Sequence, residues 1–288
     1  MKIIIIGNCQ IQPLAHGLEL SSGVEEVIQI PLHLEGTELF KKPVDLINNS
    51  HDTYTVLTFN NSLQKIEFSD SALSRFSKVL TFTNIYFRGL HPDLIYLGGM
   101  GNRLTSAVGD YHSIICAMSF LKGLDPEQCK EKYNVEVYER LGFFSEWERS
   151  AEELLKRDSD LDIKFADDFL RMAKTEPVLF TFNHPVAKPF IQLTNKILTE
   201  LDLAPLIFTE QFFYNYLSNN TWWPVYPEIA DKFDIKYKTS MTFKAPDHIK
   251  RKIYNLDEFI YKTYEIYTSY GKDKIIKSKE IENKIDLL

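Results

Sequence analysis

Residues 2–6 read Lys-Ile-Ile-Ile-Ile, and Gly7 ends the run. Side chains along a strand alternate between its two sides, so consecutive isoleucines leave neither side polar. Such a strand is stable only when both faces are covered, as in the interior of a parallel sheet. The rest of the chain must therefore supply strands to pair with it and helices to cover it. Residues 24–30 (VEEVIQI) alternate well enough for a second strand. Residues 54–59 (YTVLTF), 78–83 (KVLTFT) and 178–182 (VLFTF, introduced by Pro177) read as the third, fourth and fifth.

Helical patterns fall between these runs. The segment from Gln10 to Leu20 places Ile11, Leu14 and Leu18 on one side, with Pro13 tolerated only near its start. Asp110 suits the N-cap of a helix running to Leu121. Further helices are predicted over about 126–140, 145–157, 164–174 and 187–201. Asn255 and Glu258 form a capping-box pattern ahead of a stripe of Leu256, Phe259, Ile260, Thr263 and Tyr267. The charged tail after Gly271 is expected to fray. Alternating strands and helices define an α/β fold, a mostly parallel central sheet with flanking helices in a Rossmann-like three-layer arrangement. Residues 1–215 are expected to form the core, with a helical insertion at about 110–174. Residues 216–288 then make a C-terminal helical extension.

Composition narrows the function. The net charge of −7 excludes general nucleic-acid binding, which needs a basic face to displace counterions. Cys9, Cys116 and Cys129 are odd in number and widely spaced, with no zinc pattern and no disulfide framework. The N-terminal apolar run is too short for a signal peptide. No stretch reaches the roughly 20 apolar residues of a membrane helix. These features point to the cytoplasm.

Polar residues gather where the predicted strands end: Asn8-Cys9-Gln10, Asn60-Asn61-Ser62, Asn84 followed by Arg88, His91 and Asp93, and Asn183-His184-Pro185. Ligands of open parallel sheets bind outside the carboxyl ends of the strands, so these clusters are expected to share one rim. Cys9 sits at a strand-to-helix turn, where helix N–H groups stabilise a thiolate or an oxyanion. His184 is the candidate base for it; the alternative is a small buried cysteine. His91 and Asp93 lie in a Pro-containing loop that either fixes an imidazole toward a site or is an ordinary polar turn. His112 and Ser113 fall in the first turn after Asp110, which suits either an anion or plain capping. Gly98-Gly99-Met100-Gly101-Asn102-Arg103 is a glycine-rich stretch in which backbone N–H groups and Arg103 could meet a phosphate. A flexible turn is its other reading.

The ordered set Ile-Gly-Asn-Cys-Gln, Asn-Ile-Tyr-Phe-Arg-Gly-Leu-His-Pro-Asp, Tyr-His-Ser and Phe-Asn-His-Pro resembles the WcbI family of polysaccharide biosynthesis proteins, over residues 1 to about 215. The resemblance implies a coenzyme A-binding, capsule-related O-acetyltransferase acting on a sugar or polysaccharide precursor, with acetyl-CoA as donor. It carries over Cys9, Gln10, His91, Asp93, His112, Ser113 and His184 as site positions. Within that reading Cys9, His184, His91 and Asp93 are the chemical candidates. Asn8, Gln10, Asn84, Arg88, Arg103, His112, Ser113 and Asn183 are the candidates for holding the cofactor. A looser similarity to SGNH hydrolases rests on Gly7-Asn8-Cys9 and His184-Pro185. Here Cys and Asn stand where those enzymes have Ser and Asp, and Thr181 and Phe182 precede the late histidine where an acid is usual. The alternatives are a non-catalytic coenzyme A or nucleotide-sugar binding protein in a glycan assembly complex, and a Cys-dependent esterase. No metal-ligand spacing is present.

Overall fold

The computed structural model describes residues 1–99, 101–207, 210–249, 252–275 and 278–288. The chain divides into two packed units, each assembled from separated segments. Residues 1–86, 153–172 and 184–217 form the first; residues 87–152, 173–183 and 218–288 form the second. Residues 87–152, expected with the core, thus pack with the C-terminal region. The predicted helical insertion of 110–174 is shared between the units.

The first unit is built on four parallel strands: β1 (Lys2–Gly7), β2 (Glu26–Pro31), β3 (Tyr54–Thr58) and β4 (Phe76–Thr81). Their order is β2-β1-β3-β4, which puts the isoleucine run in the interior, as its lack of a polar face requires. Ile3 to Ile6 are all fully buried. Ile4 and Ile6 pack with Ile28, Ile30, Val56 and with Ile47 of helix α2 (Glu38–Asn49). Helix α1 (Ile11–Glu19) lies against β1 and β2 and packs on helix α3 (Ala187–Glu200). The close approach of these helices depends on Gly17, where a Cβ would come within 2.7 Å of the Thr194 hydroxyl.

The expected fifth strand does not join this sheet. Residues 179–181 do form a strand, but it belongs to the second unit. Strand propensity reports a pleated, half-buried environment and cannot say which sheet provides it. Beyond β4 the sheet is instead continued by one residue, Ile163, which bridges Phe82 in parallel and donates its N–H to the Thr81 carbonyl.

In the second unit, strand Leu94–Tyr96 pairs antiparallel with Tyr111–Ser113, and helix Ile114–Leu121 follows directly. Asp110 is therefore not the cap. Residues 111–113 give their backbone groups to the ladder, and Ser113 takes the N-cap, accepting the Cys116 N–H at 3.0 Å. The predicted 126–140 helix divides into Pro126–Lys130 and Val135–Arg140. Helix Leu256–Tyr270 opens with the Asn255–Glu258 capping box and buries Phe259, Ile260, Thr263 and Tyr267, as its pattern requires. Phe259 stacks on Phe243 at 4.2 Å, and Trp223 meets both edge-on. The tail after Gly271 does not simply fray. It contributes helices Lys272–Ile275 and Lys279–Lys284, buries Ile275 and Ile281, and pairs Glu280 with Arg88.

Candidate active site

Gly7 to Gln10 turn the chain from β1 into α1. Gly7 fits this turn closely, because a Cβ there would lie 2.5 Å from the Phe59 ring and 2.7 Å from Ile11. The Asn8 side chain accepts the Gln10 N–H at 2.9 Å and donates to the Asn84 side chain at 3.2 Å. Gln10 is buried. Its carboxamide donates to the Ile85 carbonyl at 2.6 Å and accepts the Ile85 N–H at 3.1 Å. A side chain thus pairs with a backbone as a neighbouring strand would, and ties the exit of β1 to the exit of β4.

Cys9 sits at this corner, partly accessible. Burial pushes its thiol up to about 11, and its own backbone N–H offsets that only in part. Desolvation thus favours a neutral resting thiol at this corner. The sheet order reverses between β1 and β3, and Cys9 follows the first of these strands. This is the position at which doubly wound sheets bind ligands.

A cleft of about 310 Å³ opens beside the corner, at the carboxyl ends of β3 and β4. Phe59, Phe82 and Leu161 form its apolar wall; Asn60, Ser62, Thr83 and Asn84 are polar, and Lys65 and Arg157 bring positive charge. Among the described residues, no carboxylate lines it. Arg157 is held in place by donating to the Tyr86 carbonyl at 2.7 Å. Thr83 is fixed by a hydrogen bond to the buried Asp158, which also accepts the Phe165 and Ala166 N–H groups at 2.9 Å. Sequence reading missed Lys65, Thr83, Arg157 and Asp158. Arg157 looked like one more charge on a helix, and its role appears only when residue 157 is brought beside Tyr86. His184 belongs to the same unit and is partly accessible; burial pulls its imidazole down to about 4, so it is neutral near pH 7.

The other sequence candidates lie in the second unit. Asp93 is fully buried, accepts the Ile115 N–H at 3.0 Å and a hydrogen bond from Tyr226 at 2.5 Å, and is pushed up to about 6 by burial. His91 is buried beside the Trp223 backbone and pulled down to about 3. His112 is fully buried. Its Nε2 faces the Leu104 carbonyl at 3.0 Å and must donate, so Nδ1 accepts from Tyr267 at 2.8 Å. Ser113 is committed to its cap and to Tyr133 at 2.6 Å. Arg88 pairs with Glu280 at 2.7 Å. The Asn183 side chain accepts from Tyr111 at 2.8 Å and donates to Tyr96 at 3.2 Å. Arg103 stacks over the Tyr96 ring at 4.0 Å. Met100 lies outside the described residues. Asn8, Cys9, Gln10 and Asn84 are thus brought together in one corner. His91, Asp93, His112 and Ser113 are interior groups of the other unit.

A four-stranded parallel sheet flanked by helices, with a cysteine at the turn after its first strand and a cationic cleft beside that corner, defines an α/β protein. The sequence model of the polysaccharide biosynthesis enzyme WcbI matches residues 2–206, and the chain belongs to that family. It is therefore an enzyme of a polysaccharide biosynthesis family. A solved structure of WcbI, described as a novel polysaccharide biosynthesis enzyme, superposes with a TM-score of 0.71 at 16% identity. The match covers 99% of this chain and 98% of that one. That structure is described as the native protein without the disulfide bond between coenzyme A and one of its cysteines. No curated protein matches the sequence. Among the described residues, no helix is long and apolar enough to cross a membrane.

Proposed function

We propose that this enzyme transfers an acyl group from a coenzyme A thioester to a sugar hydroxyl of a polysaccharide precursor, with the donor held at the Cys9 corner. The observation that carries this reading is the joining of that corner to a cationic cleft through the Asn8–Asn84 hydrogen bond. Coenzyme A is a polyanion with an apolar-to-polar arm ending in sulfur. Lys65 and Arg157 offer charge without a competing carboxylate, and the Phe59–Phe82 wall offers apolar contact. The disulfide named for the similar structure joins coenzyme A to a cysteine; Cys9 is the counterpart in this reading.

The protonation states favour direct transfer over an acyl-cysteine. A thiol held at about 11 is a poor resting nucleophile, whereas a neutral His184 is ready to accept the proton of an attacking hydroxyl. The test is calorimetric titration with coenzyme A and acetyl-CoA, together with acetyl transfer to sugar acceptors. Wild type should bind both saturably, and Lys65→Ala with Arg157→Ala should weaken binding at least tenfold. Cys9→Ala should keep measurable transfer, whereas His184→Ala should lose it. Absence of saturable binding of either ligand would sink the proposal.

A further inference from the structure

The second unit carries a pocket of its own. Its volume is about 490 Å³, and Tyr96, Gly98, Gly99, Asn102, Lys274 and Ser278 line it. Gly98 and Gly99 pair with Arg103 and Asn102 in a tight hairpin. Gly98 has φ +80°, and a Cβ there would collide with the Asn102 carbonyl at 2.2 Å, so the turn admits only glycine. At Gly99 the opposite holds: a Cβ would meet nothing within 4 Å. The backbone is bare beside open space, the arrangement that lets a ligand oxygen approach main-chain groups.

Charge selects the ligand. The protein is acidic overall, yet among the described residues no carboxylate lines this pocket. Lys274 contributes an ammonium, and Arg103 lies on the adjoining hairpin strand. Neither makes an ion pair among the described residues. The Arg103 guanidinium lies over the Tyr96 ring at 4.0 Å and donates to the Gly98 carbonyl at 3.3 Å. Its outer face is a planar cationic surface on which an aromatic base stacks well. Asn102 and Ser278 add neutral hydrogen-bonding groups.

We infer that this pocket binds the diphosphate of a nucleoside diphosphate group, with Lys274 and Arg103 as its cationic contacts and the Tyr96–Arg103 stack beneath the base. A nucleotide-activated sugar carries that chemistry. The inference stands on this pocket alone and is independent of the Cys9 corner. The experiment is calorimetric titration of the full chain at low ionic strength with inorganic pyrophosphate, uridine diphosphate and coenzyme A. Wild type is compared with Lys274→Ala, Arg103→Ala and, as a control for net charge, Lys156→Ala at an exposed site elsewhere. Thermal melts check that all four fold alike. Saturable pyrophosphate binding that falls about tenfold in each pocket variant, and stays unchanged in the control, is the expected result. A parallel loss for uridine diphosphate with coenzyme A binding unchanged identifies a nucleotide-activated sugar; a parallel loss for coenzyme A overturns the inference. Absence of saturable pyrophosphate binding, or an equal loss in Lys156→Ala, overturns the inference. Neither outcome touches the acyl-transfer proposal, which depends on Lys65, Arg157 and His184.

Discussion

Alkylation of Cys9 by iodoacetamide should be slow and should keep accelerating with pH beyond the range where ordinary cysteines level off. The thiolate is the reactive species, and burial places the Cys9 pKa at about 11 against an ordinary value of 9.0. At pH 8 the thiolate is then about one part in a thousand, against about one in ten for the ordinary thiol. A more basic thiolate is a better nucleophile; a Brønsted slope of about 0.45 over two pK units returns roughly eightfold. The net expectation is a rate about tenfold below that of a free cysteine peptide at pH 8. Steric shielding at the partly accessible corner can only lower it further. The assay is mass spectrometry of the Cys9 peptide over a time course from pH 7 to 10. Cys116 and Cys129, both fully buried, serve as internal unreactive references. The rate should climb nearly tenfold per pH unit with no plateau up to pH 10. A plateau centred at or below pH 8.5, or a rate above that of the peptide, would show that the α1 N-terminus controls the thiol after all and would refute the desolvation argument.

Other consequences follow from the same geometry. Gln10→Ala leaves the Ile85 N–H and C=O without these partners; at about 1–3 kcal/mol per buried group, the loss is about 2–6 kcal/mol, or roughly 4–12 °C in melting temperature at about 2 °C per kcal/mol. Unchanged melting and unchanged hydrogen exchange at the Ile85 amide would contradict this. Gly7→Ala should cost about 1–3 kcal/mol, because the new methyl must displace the Phe59 ring or Ile11; a neutral result in chemical denaturation would mean the corner is softer than drawn. His91 and His112 are depressed to about 3 and 4, so the unfolded chain binds more protons below pH 6.5 and stability should fall as pH drops from there toward 4. Asp93, raised to about 6, runs the other way: its contribution is full at low pH and is lost as pH rises through 6. Denaturation midpoints between pH 7 and 5 should accordingly flatten in His112→Gln and steepen in Asp93→Asn; identical slopes would dismiss both assignments.

The part of this architecture that sequence makes visible is the part governed by local burial and local capping. An isoleucine run has no exposed face to offer, and Asn255 with Glu258 closes a helix end within four residues. Asp110 and Ser113 are equally good caps by type. Only the ladder with residues 94–96, a tertiary feature, takes residues 111–113 out of the helix and leaves the cap to Ser113. The strand at 179–181 shows the same limit, since propensity finds a strand but not its sheet. At the site, Gly7-Asn8-Cys9-Gln10 stands out as a motif, and Asn84 follows from its position after a strand. Lys65 and Arg157 do not stand out, because a cation on a helix or turn is ordinary until a cleft forms around it. The burial of His91, His112 and Ser113 was equally hidden, since polar residues beside a strand end carry the same signature whether they face solvent or the interior.

The chain passes between its two units at residues 86–87, 152–153, 172–173, 183–184 and 217–218. Neither unit is a continuous stretch of polypeptide, and this bears on how the protein can be cut or recombined. A chain ending at residue 206, where the family match stops, would retain all four strands of the parallel sheet. It would also remove Trp223, Tyr226, Phe243, Phe259 and Tyr267 from the second unit, leaving Asp93 without its Tyr226 donor and His112 without Tyr267. The matched region is therefore not by itself a unit of stability. Chimeras between relatives are therefore expected to fold when residues are exchanged within segments, and not when a terminal module is swapped.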